Sequence, residues 1–276
     1  MIDAFHVSRP AKSSPLLYDS PHSGRYYPPD FASNATRVDL RRGEDAYVDD
    51  LLAGAPEHGA TLLIAVYPRC YIDVNREETD IDESLLSEPW PTPLQPTDKT
   101  RRGLGLIRRL VVPGVEAQAV PLTVAQVRER IALAYTPYHE ALSSLVEEVR
   151  AVHGVVRHVN WHSMKSLGNA MTPDGPGARR PDFVVSDVRG ASAAPSFTAQ
   201  IVDSLRGMGY TVALNDPYTG GTIVQRIGKP ADGIHSVQVE INRALYLDET
   251  LVEKANGFRA LAANLDRLTT VLADAA

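Results

Sequence analysis

Cysteine is almost missing from this chain: Cys70 stands alone among 276 residues. An internal disulfide framework and a cysteine-rich zinc site are both excluded, and a reducing, cytoplasmic setting is expected. A basic excess is missing as well. Lys and Arg number 28 against 34 Asp and Glu, a formal charge of −6, which argues against a nucleic-acid partner or a polybasic membrane-surface role. No apolar run approaches the ~20 residues of a membrane span. The opening stretch from Met1 to Asp19 lacks the charged start and unbroken apolar core of a secretory signal. The Gly-x-Ser-x-Gly turn of a serine hydrolase is absent too, although Ser23 and Ser163 adjoin histidines.

With 43% apolar and 22% charged residues, the composition is that of an ordinary globular protein. There is no internal repeat and no low-complexity segment, so a single domain over residues 1–276 is expected. Apolar strands are read at 15–19, 61–66, 71–74, 155–159, 183–185, 210–214 and 236–241. Helical spacing is read from Asp45 through Val48, Leu51 and Leu52, from Thr123 to Val149 with a kink or split at Pro137, from Phe197 to Leu205, and over 249–274. Residues 84–102, with four prolines, read as an ordered loop or lid, and 168–180 as a Gly/Pro-rich loop. Strands alternating with helices predict an α/β protein whose sheet is covered on both faces.

Polar groups follow three of these strands directly: His22, the pair Asn75-Arg76, and His162. The crevice at the carboxyl ends of the strands is where open α/β sheets collect ligands. Two histidines and a carboxylate converging there would make a three-ligand zinc site with one position left for water. Each residue has a plainer reading: Asp45 as a helix cap, Asn75-Arg76 as a turn with a structural ion pair, and His58, His139, His153 and His158 as ordinary helix or strand residues. Glu240 is harder to dismiss, because a carboxylate in the apolar run Val237-Gln238-Val239-Glu240-Ile241 is expensive to bury without a partner.

The segments Ser20-Pro-His22-Ser-Gly24, Glu44-Asp45-Ala-Tyr-Val48, Arg69-Cys-Tyr-Ile-Asp73-Val-Asn75-Arg76, Trp161-His162-Ser163, Tyr218-Thr-Gly-Gly221 and Gly233-Ile-His235-Ser-Val-Gln-Val-Glu240-Ile-Asn242 together resemble the N-formylglutamate amidohydrolase family. The resemblance runs from about residue 15 to residue 250. It implies a three-layer α/β/α fold with a mixed, mainly parallel sheet, similar to zinc carboxypeptidases and aspartoacylases. It also implies one zinc ion held by His22, Asp45 and His162.

In the carboxypeptidase pattern the second ligand is a Glu three residues after the first His. Arg25 stands there in this chain, so Asp45 replaces it, with Glu44 and Asp49 as fallbacks. Glu240 matches the general base. Asn75 and Arg76 match the pair that holds the substrate carboxylate and polarises the scissile carbonyl, which gives Arg76 a catalytic part beside Glu240. Arg69 and His235 lie in the matching motifs and are assigned to substrate binding. The implied activity is hydrolysis of a small N-acyl acidic amino acid such as N-formylglutamate, or, as the alternative, deacylation of other N-acyl amino acids or cleavage of a small peptide. Two places depart from the histidine-degradation branch: Thr222-Ile-Val-Gln-Arg226, where His-Ile-Thr-Arg is expected, and the loop at 84–102.

Overall fold

The structure is a computed structural model and describes residues 2–274. Its centre is a seven-stranded sheet drawn from β1 (Phe5–Ser8), β2 (Leu16–Ser20), β3 (Thr61–Ala65), β4 (Val156–Met164), β5 (Phe183–Ser186), β6 (Val212–Leu214) and β7 (Ile234–Asn242), in the order β1-β3-β2-β4-β7-β5-β6. The β1/β3 and β5/β7 pairs are antiparallel and the remaining ones parallel.

Alternation along the strands sorts the core into two layers, since successive side chains point to opposite faces. Leu16, Tyr18, Leu62, Val159, Trp161, Val237 and Val239 pack on one face. They are covered there by α2 (Val48–Leu51), α5 (Pro195–Gly207) and α7 (Phe258–Asp274). Leu17, Leu63, Val156 and Ile234 face the other way, under α3 (Val124–Arg130), α4 (Thr136–His153) and α6 (Thr222–Ile227). The result is the expected α/β/α sandwich, and β2, flanked on both faces, is buried at every position.

Several local expectations need correction. Residues 71–74 are not a strand. They lie in a turn region where the Asp73 amide donates to Leu106 O at 2.8 Å, so the apolar residues Tyr71, Ile72 and Val74 are buried without joining the sheet. The element after Asp45 is a single helical turn begun at Tyr47, which sits in left-handed backbone at φ 64. Pro137 does not split its helix. A π-turn at Ile131–Tyr135 joins α3 to α4, with the Thr136 amide donating to Ile131 O, and Pro137 falls at the start of α4, where its missing N–H matters least. The C-terminal helix begins at Phe258, and a short hairpin of Leu247–Asp248 with Glu253–Lys254 takes up the residues before it.

Candidate active site

The carboxyl ends of β2, β4 and β7 meet at one cavity of about 250 Å³, below the roughly 300–1,000 Å³ of drug-sized sites and suited to an amino-acid derivative. His22 sits just beyond β2, and the Asp45 amide donates to His22 O at 3.0 Å, which brings the turn after α1 (Arg37–Gly43) to the same place. His162 arrives on β4 and stands in register with Glu240 on β7.

The histidines are locked from behind. His22 Nε2 donates to Asp73 Oδ1 at 2.7 Å. Asn160 Nδ2 donates to Asp19 Oδ1 at 2.8 Å, so the Asn160 carbonyl is left to accept from His162 Nε2 at 2.7 Å. With both Nε2 protons committed, the two Nδ1 lone pairs face each other at 3.0 Å. Asp45 Oδ2 lies 2.9 Å from His162 Nδ1 and 3.3 Å from His22 Nδ1.

Three buried lone-pair donors thus converge without a proton among them, an arrangement that only a positive charge makes favourable. Their spacing and N₂O composition fit a divalent cation such as zinc, and the orienting carboxylate and amide behind the imidazoles are the usual support of such a site. Glu44 and Asp49 lie outside this cluster. Glu44 is bound by Tyr27 and Arg41, and Asp49 pairs with Arg25 at 3.3 Å.

Asp45 and Asp73 share a cationic frame. Arg69 reaches Asp45 Oδ1 at 3.3 Å and Asp73 Oδ2 at 3.1 Å, and Arg243 adds a 3.1 Å contact to Asp45 Oδ1. Burial opposes ionisation of both acids. For Asp45 the Arg69 charge outweighs it, and for Asp73, His22, Arg69 and Arg76 do so; both carboxyls are held well below the ordinary range. Glu240 is placed differently. It lines the cavity outside the donor cluster and accepts from Gln238 Nε2 at 3.0 Å, and burial together with the Asp45 charge raises its carboxyl despite the opposing pull of His162.

Arg76 also lines the cavity, with Nε donating to Leu104 O and Nη1 to Asn75 O, both at 2.7 Å. The Asn75 amide is engaged from within: its Oδ1 accepts from the Ile223 amide at 2.9 Å, and its Nδ2 lies 3.2 Å from His162 Nε2. Arg69 is part of the cavity wall but is tied to the two acids. His235 is not brought to the site. It is the second residue of β7, five residues before Glu240 and so about 17 Å up the strand, where its Nδ1 accepts from the Ala194 amide. A motif contiguous along a strand spans far more than one cavity, which is why the match misled there.

Asp19, Asp73, Asn160 and Arg243 received no role from the sequence. A signal existed for one group. His158, Asn160 and His162 alternate with Val159 and Trp161, and Ser236, Gln238 and Glu240 alternate with Val237 and Val239. Period-two spacing therefore puts a polar stripe on one face of two adjacent strands. The stripe is joined by Asp19, whose carboxylate also accepts from His158 and Tyr138, at 2.9 and 2.7 Å.

Residues 14–247 match the family model described as N-formylglutamate amidohydrolase. A relative from Pseudomonas aeruginosa named N-formylglutamate deformylase is 30% identical over 239 residues, 85% of this chain and 83% of its own length. Another of that name from Pseudomonas putida is 29% identical over 258 residues, covering 90% and 85%. The crystal structure of an N-formylglutamate amidohydrolase from Ralstonia eutropha JMP134 superposes with a TM-score of 0.92 at 41% identity, over 99% of this chain and 98% of that one. The chain belongs to the N-formylglutamate amidohydrolase family.

Proposed function

We propose that this protein hydrolyses the formamide bond of N-formylglutamate, giving formate and glutamate, with one zinc ion held by His22, Asp45 and His162. The observation that carries the reading is the convergence of three proton-free donors beside a carboxylate, Glu240, that is not among them. The relatives' names give the substrate.

Bound zinc supplies Lewis acidity and lowers the pKa of water toward about 7. Glu240, biased toward its protonated form by burial, takes a proton from the attacking water and delivers it to the departing amine. Arg76 offers a planar cation to the substrate carboxylate or to the oxygen on which charge develops. Asn75 holds the wall at Ile223 and reaches the His162 ring, and Arg69 braces Asp45 against Asp73.

The test pairs formate release with metal analysis of the purified protein. Wild type should carry one zinc per chain and release formate from N-formylglutamate, while His22→Ala and His162→Ala lose zinc and activity together. Full zinc in either variant overturns the ligand set. Preference for another acyl group across formyl-, acetyl- and succinyl-glutamate would turn the assignment to a related deacylase.

A further inference from the structure

The cavity carries more positive charge than its acids account for. The Asp73 carboxylate is shared by Arg69 at 3.1 Å, Arg108 at 3.4 Å and Arg76 at 4.0 Å. Arg69 is spent on Asp45 as well. Two more cations, Lys99 and Arg102, line the same cavity, and neither side chain has a hydrogen bond or an ion pair among the described residues.

These cations are presented by an ordered arm. Asp80 accepts from the Thr97 amide at 2.8 Å and from the hydroxyls of Thr97 and Thr100, fixing the helical turn Asp98–Arg101. Leu106 N donates to Asp80 O, and Asp73 N to Leu106 O, so the arm is sewn to the segment that carries Asp73. Gly105 has no room for a side chain, because a Cβ there would lie 2.7 Å from Asp80 O. An exposed, unpaired lysine and arginine are ordinary on a surface. Here they are held over a cavity that already has a cationic surplus.

We propose that the arm at residues 97–108 is the specificity element of this enzyme, with Lys99 and Arg102, backed by Arg108, binding the side-chain carboxylate of the N-acyl amino acid. This rests on the reading of the site as an N-formylglutamate hydrolase and adds which residues select an acidic side chain. One carboxylate at Arg76 leaves the Lys99–Arg102–Arg108 side uncompensated, and a second carboxylate on the same ligand neutralises it. The neighbouring cations already act on these groups. The Arg76 charge pulls the Lys99 ammonium down to about 7, while burial and Arg69 bring the Arg108 guanidinium to about 9. An anion between them relieves that repulsion, and a neutral side chain of the same size does not.

The experiment compares kcat/KM for N-formylglutamate with that for N-formylglutamine, its uncharged isostere, in wild type, Lys99→Met, Arg102→Met and the double variant. Both positions are exposed, so folding is not at stake, and Lys12→Met, an exposed lysine outside the cavity, controls for net charge. Wild type should favour the glutamate derivative. Loss of a charge-assisted contact is worth roughly 10- to 100-fold, so the preference should fall by about that factor in each single variant, further in the double, through KM more than kcat, and stay put in Lys12→Met. An undiminished preference in the double variant overturns the assignment of the arm. A wild type inactive on both compounds overturns the N-formylglutamate reading instead.

Discussion

Asp73 Oδ1 accepts the Nε2 proton of His22 at 2.7 Å, and this contact decides that the other ring nitrogen faces Asp45 and His162. Asp73→Asn keeps an acceptor for His22 but removes the charge shared by Arg69, Arg76 and Arg108. Metal retention should weaken about 10- to 100-fold, read by competition with a chelator. Stability should fall by about 3–5 kcal/mol, read by urea denaturation, because buried guanidinia lose their counter-charge.

Glu240→Gln separates the base from the ligands. The amide keeps the size of the side chain and can still hydrogen-bond to Gln238. Zinc content and fold should be retained while kcat falls by about 10²–10⁴-fold with little change in KM. Loss of zinc in this variant would move Glu240 into the ligand set.

Arg76→Lys tests geometry against charge. The guanidinium spends Nε and Nη1 on Leu104 O and Asn75 O, and its Nη2 stands 4.0 Å from Asp73 Oδ2, a division that one ammonium cannot reproduce. A drop of about 10²-fold in kcat/KM is expected with metal content unchanged. Wild-type kinetics would make Arg76 a structural residue.

The pH dependence of KM follows from Lys99, whose proton is held against Arg76 and Arg69 and with help from Asp73 and Glu240. Its affinity is lowered to about 7, so the ammonium is present below that pH and lost above it. KM for N-formylglutamate should therefore rise above about pH 7, by up to tenfold per unit, with proton uptake on binding. Lys99→Met should flatten this limb. An unchanged KM profile in the variant would remove Lys99 from the titration.

Gly24→Ala probes the loop that carries His22. A Cβ there would lie 2.7 Å from Val66 O and closer still to Tyr67 O. These are backbone atoms that cannot rotate away, so the loop must lift off the end of β3. A loss of about 1–3 kcal/mol is expected, measured by chemical denaturation, together with weaker metal retention.

Strand runs such as Leu16–Asp19 and Val237–Ile241 were legible because burial on both sheet faces demands apolar residues, and His22, His162 and Glu240 were legible as polar residues out of place among them. Tyr71 to Val74 shows where that logic fails: apolar composition reports burial, and burial against a loop looks the same as burial in a sheet. Asp73 and Arg243 were illegible for another reason. Asp73 orients His22 across 51 positions and Arg243 reaches Asp45 across 198, and no local pattern encodes such pairings. The arm cations were hidden inside a proline-rich stretch, where the sequence signals a loop without saying which way it folds.

His162 and Glu240 occupy the same rung of adjacent strands. Their separation is set by main-chain ladder bonds, so it is indifferent to what surrounds the cavity mouth. The 97–108 arm belongs to no strand of that sheet. The arm is tied to the rest of the site through Leu104 O, which accepts from Arg76 Nε, Leu106 O, which accepts from the Asp73 amide, and Arg108, which reaches the Asp73 carboxylate. On the proposed reading, a grafted arm should therefore redirect the enzyme to another acyl amino acid provided those contacts are kept.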